Sequence, residues 1–397
     1  MYNCIILIFW GGFMENNIYF KKIDELYEKY LQVWQDVCDI ESPSEFKAGV
    51  DACGDYFVKM AKELGFSVEK KNEKDAGNPI CITMNPNAKG SPISFSGHID
   101  TVHPVGSFGT PPTRIDDEKI YGPGVFDCKG GIVGAMFAME ALQKCGYTDR
   151  PIQLLIQTDE EIGSRNSGGE TIKWICEKAK ESVAFLNVEP SVNKDLCIQR
   201  KGGAMFKFKI KGIEAHSANC AVSGANAIFE AAQKINLLEQ LKDDEALTYS
   251  CNTISGGSAA NTVAGYCEFV CDVRFANNEQ YNEAVAKIEE VKNMVFVKGC
   301  TTEVEQLNRT CALPLTDANL KLANTLNSVF EKYGLERLQI LKRGGASDAA
   351  HATEFGLTTV DALGVEGGNM HSVKEFAFLE SLKKCAKQNV AIVLEIN

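Results

Sequence analysis

Apolar residues recur at helical spacing from Ile18 to about Ile40, where Leu26, Tyr30, Val33 and Val37 share one face. Asp51 to Leu64 repeats the pattern and predicts a second amphipathic helix. Beyond it the apolar runs shorten, and each ends on polar residues. Ile93-Ser94-Phe95-Ser96 leads into Gly97-His98-Ile99-Asp100. Ile152 to Gln157 leads into Thr158-Asp159-Glu160-Glu161, and Val183 to Val188 leads into Glu189-Pro190. Helical segments, Gly130 to Cys145 and Gly169 to Lys180, lie between them. Strands alternating with helices predict a mostly parallel α/β sheet with helices on both faces. Such sheets bind ligands outside the carboxyl ends of their strands, which is where these polar clusters fall.

The pattern changes near Lys201. Phe206, Phe208 and Ile210 alternate with Lys207, Lys209 and Lys211, as in a strand with one buried and one wet face. A helix follows at about Ala225 to Leu241, then strands at about Leu247 to Ile254 and Gly265 to Phe275. A second helix (Glu279 to Val295) and a last strand (Thr301 to Leu307) complete the order β-α-β-β-α-β, the ferredoxin-like arrangement. Residues 203–310 therefore read as a separate domain inserted into an α/β domain of residues 14–202 and 311–397. Helix-strand alternation resumes after Pro314, with Ala318 to Tyr333 helical and Thr358 to Leu363 a strand. The run Cys4 to Trp10 is far shorter than the ~20 residues that span a bilayer, and no basic residue precedes it. Residues 1–13 read as an extension outside the fold, with Met14 as the working start; a short membrane or partner-binding tag is the alternative.

Composition narrows the function. The 397 residues are 45% hydrophobic and 24% charged, as in ordinary globular proteins. Lys and Arg number 41 against 53 Asp and Glu, a net charge of −12. So acidic a body repels phosphate backbones and anionic lipid, which argues against nucleic-acid and membrane partners and suits divalent cations where carboxylates converge. The 15 cysteines are odd in number, scattered and without a Cys-x-x-Cys pair, which fits reduced thiols in a cytoplasmic protein.

Five histidines are present. His98 and Asp100 lie two apart at a strand end and point the same way. His98 can bind a metal while Asp100 accepts from its other ring N–H. Gly122-Pro123-Gly124 with Asp127-Cys128-Lys129-Gly130 is a glycine-rich turn into a helix. A dinucleotide fingerprint requires glycine where Asp127 stands, and a pyrophosphate there would meet a carboxylate. That disfavours a nucleotide-dependent oxidoreductase and leaves Asp127 as a good bridging carboxylate. Asp159-Glu160-Glu161 places three acids together; a divalent metal would relieve their repulsion, and the alternative is an acidic helix N-terminus. Glu189 and His371 end near the same place if the strands align as predicted. His216 sits in the inserted domain and reaches a metal site only by domain closure or from a partner subunit. His103 mimics a ligand pair with His98, and His351 reads as a residue packed on a helix. No Gly-x-Ser-x-Gly elbow supports a serine nucleophile.

Taken in order, these segments resemble the glutamate carboxypeptidase, acetylornithine deacetylase and aminoacylase family of dizinc metallopeptidases, especially its bacterial glutamate carboxypeptidase branch. The carrying motifs are His98-Ile-Asp100-Thr-Val, Tyr121-Gly-Pro-Gly with Asp127-Cys-Lys-Gly, Thr158-Asp-Glu160-Glu161-Ile-Gly-Ser, Val188-Glu189-Pro190, Ala215-His216-Ser, Ser255 to Asn261, Asp272-Val-Arg274, Gly344-Gly345-Ala-Ser-Asp348 and His371-Ser372.

The resemblance implies a catalytic α/β domain interrupted by a ferredoxin-like lid that also dimerises. It implies one zinc on His98, Asp127 and Glu189 and a second on Asp127, Glu161 and His371. Cobalt and manganese suit the same donors. Glu160 would be the general base, and Asp100 would orient His98. His216, Asn261, Arg274, Gly344 and Gly345 would bind substrate, and strand alternation sets Arg274 beside Glu268 and Asp272, where a surface ion pair is the alternative. The implied reaction is hydrolysis of a peptide or N-acyl amino acid amide by a water bridging the zincs, with an acetylornithine or succinyl-diaminopimelate type deacylase as the alternative. A non-catalytic binding protein on this fold would lack Glu160 or a ligand, and all are present. Cys128 departs from the second Asp that many members carry after an unusual cis peptide, and sets a thiol beside the metals. The strand Met205 to Lys211 would pair across a dimer axis if it lay at a sheet edge.

Overall fold

Asn17 caps α1 (Ile18–Asp39) by accepting, through its side chain, the backbone N–H groups of Tyr19 and Phe20. The computed structural model describes residues 17–220, 222–241 and 247–396. The N-terminal extension expected over 1–13, and Met14 as a start, lie outside the described residues. The expected face of α1 is buried, with Tyr30, Val33, Trp34 and Val37 inside. The second helix, α2 (Lys47–Glu63), begins a turn before Asp51. Gly49 hid that turn in the sequence, and close approach explains the glycine: a Cβ there would meet the Glu41 carbonyl oxygen at 2.3 Å.

There follow β1 (Ser67–Lys70), β2 (Ile80–Met84), β3 (Ile93–His98), β4 (Arg114–Ile115), β5 (Lys119–Tyr121), α3 (Lys129–Lys144), β6 (Ile152–Gln157), α4 (Glu170–Ala179), β7 (Ala184–Asn187) and β8 (Asp195–Arg200). Next come β9 (Gly202–Lys211), α5 (Ala227–Glu239), β10 (Thr248–Gly256), β11 (Tyr266–Phe275), α6 (Asn278–Asn293) and β12 (Thr301–Thr310). The chain closes with α7 (Asp317–Lys332), β13 (Gln339–Arg343), α8 (Asp348–Glu354), β14 (Thr359–Val360), β15 (Gly367–Gly368), β16 (Phe376–Phe378) and α9 (Leu379–Glu395).

Contacts divide the described residues into two units, one comprising those up to Ile198, those of 315–342 and those from Ser347 on, the other those of 199–314 and 343–346. In the first, a six-stranded sheet runs β1-β2-β6-β3-β7-β14. β3 pairs in parallel with β6 and β7, and β14 in parallel with β7, while β2 and β1 add an antiparallel edge. Phe95, Leu154, Ile156 and Leu186 face the large core built with α1, α2, α3, α7 and α9. Cys81, Leu155 and Phe185 face the other way, onto Ile172 and Ile175 of α4 and Ala352 of α8. Helices thus cover both faces, as an α/β sheet buried on both sides requires. The strand expected over Thr358 to Leu363 is cut to β14, because Asp361 turns to bridge Cys197 and Ala362 takes a φ of 68°. A small antiparallel sheet, β15-β16-β5-β4, brings the hairpin carrying His371 beside the loop that leaves β5 toward Asp127.

Helix α3 lies against the end of β7 so closely that a Cβ on Gly131 would meet the Val188 carbonyl oxygen at 2.0 Å. Gly131→Ala would raise helix propensity by about 1 kcal/mol, yet the overlap is with backbone that cannot rotate away. We expect a net loss of roughly 1–3 kcal/mol, read as a lower urea midpoint; an unchanged or raised midpoint would contradict this packing.

In the second unit the sheet order is β10-β11-β9-β12, all antiparallel. Phe206, Phe208 and Ile210 are buried with Phe269, Cys271 and Val273. On the wet face Lys209 pairs with Glu305 at 2.6 Å and Lys211 with Glu303 at 2.8 Å across β9 and β12. The edge position on which pairing of Met205 to Lys211 across a dimer axis depends is not met, because β9 is flanked on both sides and the sheet's edges are β10 and β12.

Candidate metal centre

Parallel pairing of β3 with β6 and β7 brings their carboxyl ends together, and the acids and His98 leave from those ends. His98 closes β3 and is buried. Glu160 and Glu161 form a short 3-10 turn after β6. Glu189 follows β7, Asp127 precedes α3, and His371 tops the β15–β16 hairpin at a φ of 60°. The Asp127 carboxylate lies between the two imidazoles, with Oδ1 3.2 Å from His98 Nε2 and Oδ2 3.3 Å from His371 Nε2. Glu189 Oε1 is 3.3 Å from His98 Nε2, and Glu161 Oε2 is 3.2 Å from His371 Nε2. Each imidazole nitrogen therefore meets two carboxylate oxygens, one of them from Asp127. Glu160 stands off, with Oε2 3.9 Å from His98 Nε2.

The supports differ in part from expectation. The ring N–H at His98 Nδ1 is 3.0 Å from the backbone carbonyl oxygen of Asp100, and the Asp100 carboxylate is 3.5 Å away, too far for a good bond. That carboxylate instead accepts from Ser44 Oγ at 2.6 Å and from the backbone N–H of Glu160 and Glu161, both at 3.1 Å. Asp100 thus fixes the turn bearing the two glutamates, and its carbonyl orients His98. Of the three consecutive acids, Asp159 points elsewhere, accepting from Ser167 N–H and Thr171 Oγ1. His103 is no ligand: its Nε2 sits 3.0 Å from Glu375. His351 lies on α8. The Asp127–Cys128 peptide is cis. Cys128 donates its thiol to the Val188 carbonyl at 3.2 Å and is fully buried. Burial, then Glu189, pushes that thiol well above its usual range, so the thiol beside the candidate metal ligands presents no exposed thiolate.

The electrostatics are those of a site short of positive charge. Burial and neighbouring acids push Glu160 well up, although His98 opposes them. Burial lifts Glu161 to about 7 against the hydrogen bond from His371, and Glu189 is raised by burial. Burial works against a charged His98, yet Cys128, Glu189, Asp100 and Asp127 outweigh it and hold the ring well above its usual value. Hydrogen bonds to Asp127 and Glu161 raise His371 to about 10. Among the described residues, buried Asp348 Oδ2 has no hydrogen-bond partner, and Glu189 Oε1 has none beyond its 3.3 Å approach to His98 Nε2. Nitrogen and carboxylate donors that converge, with acids in surplus, fit divalent cations.

Sequence reasoning missed two residues here. Glu375 had no motif to mark it. Asp348 was read within its Gly-Gly motif without a role, and it stands among the buried acids, its carboxyl pushed well up by burial.

The remaining residues belong to the second unit. His216 is exposed and accepts the Ala218 N–H through Nδ1 at 3.2 Å. Asn261 joins it, since Ser217 N–H donates to the Asn261 carbonyl at 2.9 Å. Arg274 is held in a two-pronged pair by Asp272, at 2.6 Å from Nε and 2.9 Å from Nη2, the ion pair weighed as its alternative. Gly344 and Gly345 are exposed, and the Gly345 carbonyl accepts from Arg200 Nη1 at 3.2 Å.

Fold and donor set together define a metallohydrolase. Residues 94–395 match peptidase family M20/M25/M40, and the chain belongs to that family. It is 25% identical over 390 residues to carboxypeptidase G2 of Pseudomonas sp. (strain RS-16), covering 96% of this chain and 92% of that one. It is 26% identical over 352 residues to the succinyl-diaminopimelate desuccinylase of Buchnera aphidicola, covering 84% and 90%. Its fold resembles aminopeptidase PepT of Bacillus cereus, with a TM-score of 0.78 at 24% identity over 93% of this chain and 98% of that one. It also resembles a dinuclear metal-binding M20 peptidase of Bacillus subtilis, with a TM-score of 0.69 at 15% identity over 94% and 100%. The protein is accordingly a hydrolytic enzyme, a metallopeptidase or amidohydrolase of this family.

Proposed function

We propose that the chain hydrolyses the amide bond of a small peptide or N-acyl amino acid at a two-zinc centre. His98, Asp127 and Glu189 would hold one ion and Asp127, Glu161 and His371 the other. The observation that carries this is the Asp127 carboxylate lying between two imidazoles. Two bound ions would supply Lewis acidity toward the amide carbonyl and toward water. Glu160, displaced from the imidazoles and raised by burial, accepts the proton from the attacking water and returns it to the departing amine. Asp100 keeps Glu160 there by holding its backbone N–H. In this reading the lid's His216 and Asn261 bind substrate, together with the Gly344–Gly345 loop. Arg274 offers its free guanidinium N–H groups to a substrate carboxylate, with two of its five donors already on Asp272.

The carboxypeptidase reading is favoured by a similarity that runs over 96% of the chain. A deacylase of the desuccinylase kind is supported by a shorter one, over 84%. A homodimer through the second unit rests on family resemblance, and a cytoplasmic setting on the free, mostly buried thiols of the described residues. No helix among the described residues is long and apolar enough to cross a membrane.

The test pairs metal analysis with turnover. Purified protein is expected to carry two zinc ions per chain and to release an amino acid from dipeptides or N-acyl amino acids. Chelation should abolish release, and added zinc should restore it. Absence of metal after zinc addition would overturn the reading.

A further inference from the structure

Glu375 is buried, with 1% of its surface exposed, and four N–H donors end on its carboxylate. Oε1 accepts from the backbone N–H of Phe126 at 2.9 Å and of Asp127 at 3.0 Å. Oε2 accepts from Gly124 N–H at 3.3 Å and from His103 Nε2 at 3.0 Å. His103 is itself buried, edge-on to Phe108 at 4.8 Å between ring centres. On its backbone side, Glu375 donates its N–H to the Ser372 carbonyl at 2.9 Å, closing the turn that follows His371.

We propose that Glu375, braced by His103, is a positioning residue that sets Asp127 against His371 and thereby tightens metal binding. This rests on the reading of Asp127 as the shared ligand. The loop entering α3 needs such a fixture, since Gly122 and Gly124, at φ of 157° and 76°, leave it little stiffness of its own. Three of its amides converge on one carboxylate, and charge-assisted bonds of this kind are about twice as strong as neutral ones. The side chain of Glu375 thus holds the segment bearing Asp127, and its backbone holds the segment bearing His371. No other described residue among those named ties both.

The expected effects follow from acceptor count. Glu375→Ala removes every acceptor. Glu375→Gln keeps one oxygen for Phe126 and Asp127, and its amide N–H can face His103, so chiefly Gly124 loses its partner. His103→Asn removes the brace alone. Zinc affinity measured by competition with a chromophoric chelator should fall by about 10–100-fold in Glu375→Ala. Glu375→Gln and His103→Asn should fall between that and wild type. The visible absorption of the cobalt-substituted protein should change in the same order, because ligand geometry changes. Far-UV dichroism and thermal unfolding of the metal-free proteins report folding separately. Should Glu375→Ala fail to fold, the other two variants decide by the same readouts. A lowered melting temperature with wild-type zinc affinity and an unaltered cobalt spectrum would make Glu375 a structural brace only and overturn the inference. A wild-type protein that binds no metal would overturn the two-metal reading as well, so the two failures are distinguishable.

Discussion

Glu160→Ala is expected to abolish most turnover while leaving the metal content of the enzyme unchanged. The separation of effects comes from position. Glu160 Oε2 is 3.9 Å from the nearest imidazole nitrogen, whereas Glu161, Glu189 and Asp127 oxygens lie at 3.2–3.3 Å from theirs. Removing the Glu160 carboxylate therefore takes away no oxygen that the two imidazoles share. It also spares the turn, because Asp100 holds residue 160 by its backbone N–H. What is lost is a proton acceptor whose burial raises its affinity for protons. Loss of a positioned general base lowers kcat by about 10²–10⁴-fold, which is roughly 3–5 kcal/mol of barrier. Zinc per chain and kcat, measured on one preparation, test this. Full activity in Glu160→Ala would remove it from the role of base. Glu161→Ala, a residue further along, should instead lose metal.

The candidate metal centre is readable in the sequence because its residues sit where strands end. The length of the apolar runs at 93–98, 152–157 and 183–188 places β3, β6 and β7, and the candidate site residues His98, Glu160, Glu161 and Glu189 stand at the last residue of a run or within four residues beyond it. What escaped was whatever depends on a partner far along the chain. Glu375 is separated by 248 residues from the Asp127 amide it accepts, and no local period signals that pairing. Asp100 shows the same limit: its spacing from His98 predicted a carboxylate–imidazole bond, but the turn after β6 claims the carboxylate. The neighbour order of strands is also a tertiary fact. Alternation correctly divides β9 into a buried and a wet face, yet it is equally compatible with an edge or a central strand, and the sheet makes it central. Close backbone approach hid the start of α2 behind Gly49.

Asp127→Asn should cost both metal and activity, and the reason is the number of acceptors. The carboxylate presents one oxygen to His98 and the other to His371. Asparagine has nearly the same size, so the loop and its three amides on Glu375 are not forced to move. Its side chain, however, has one oxygen and one N–H₂ group, and the latter cannot ligate a cation. One position loses a donor outright, and the site as a whole loses a negative charge that both cations need. His98 and His371 protonate more weakly without it, since Asp127 is among the groups that raise both rings; the change therefore does not help the empty protein to hold its histidines charged. Zinc per chain should fall from two to one or fewer, and turnover by at least about 10³-fold, or roughly 4 kcal/mol. His371→Ala provides the contrast, because it leaves the His98–Asp127–Glu189 group intact and should keep one zinc. Two tightly bound zincs with wild-type turnover in Asp127→Asn would show that the carboxylate is not shared, and the two-metal assignment would have to be rebuilt around Glu161 and Glu189.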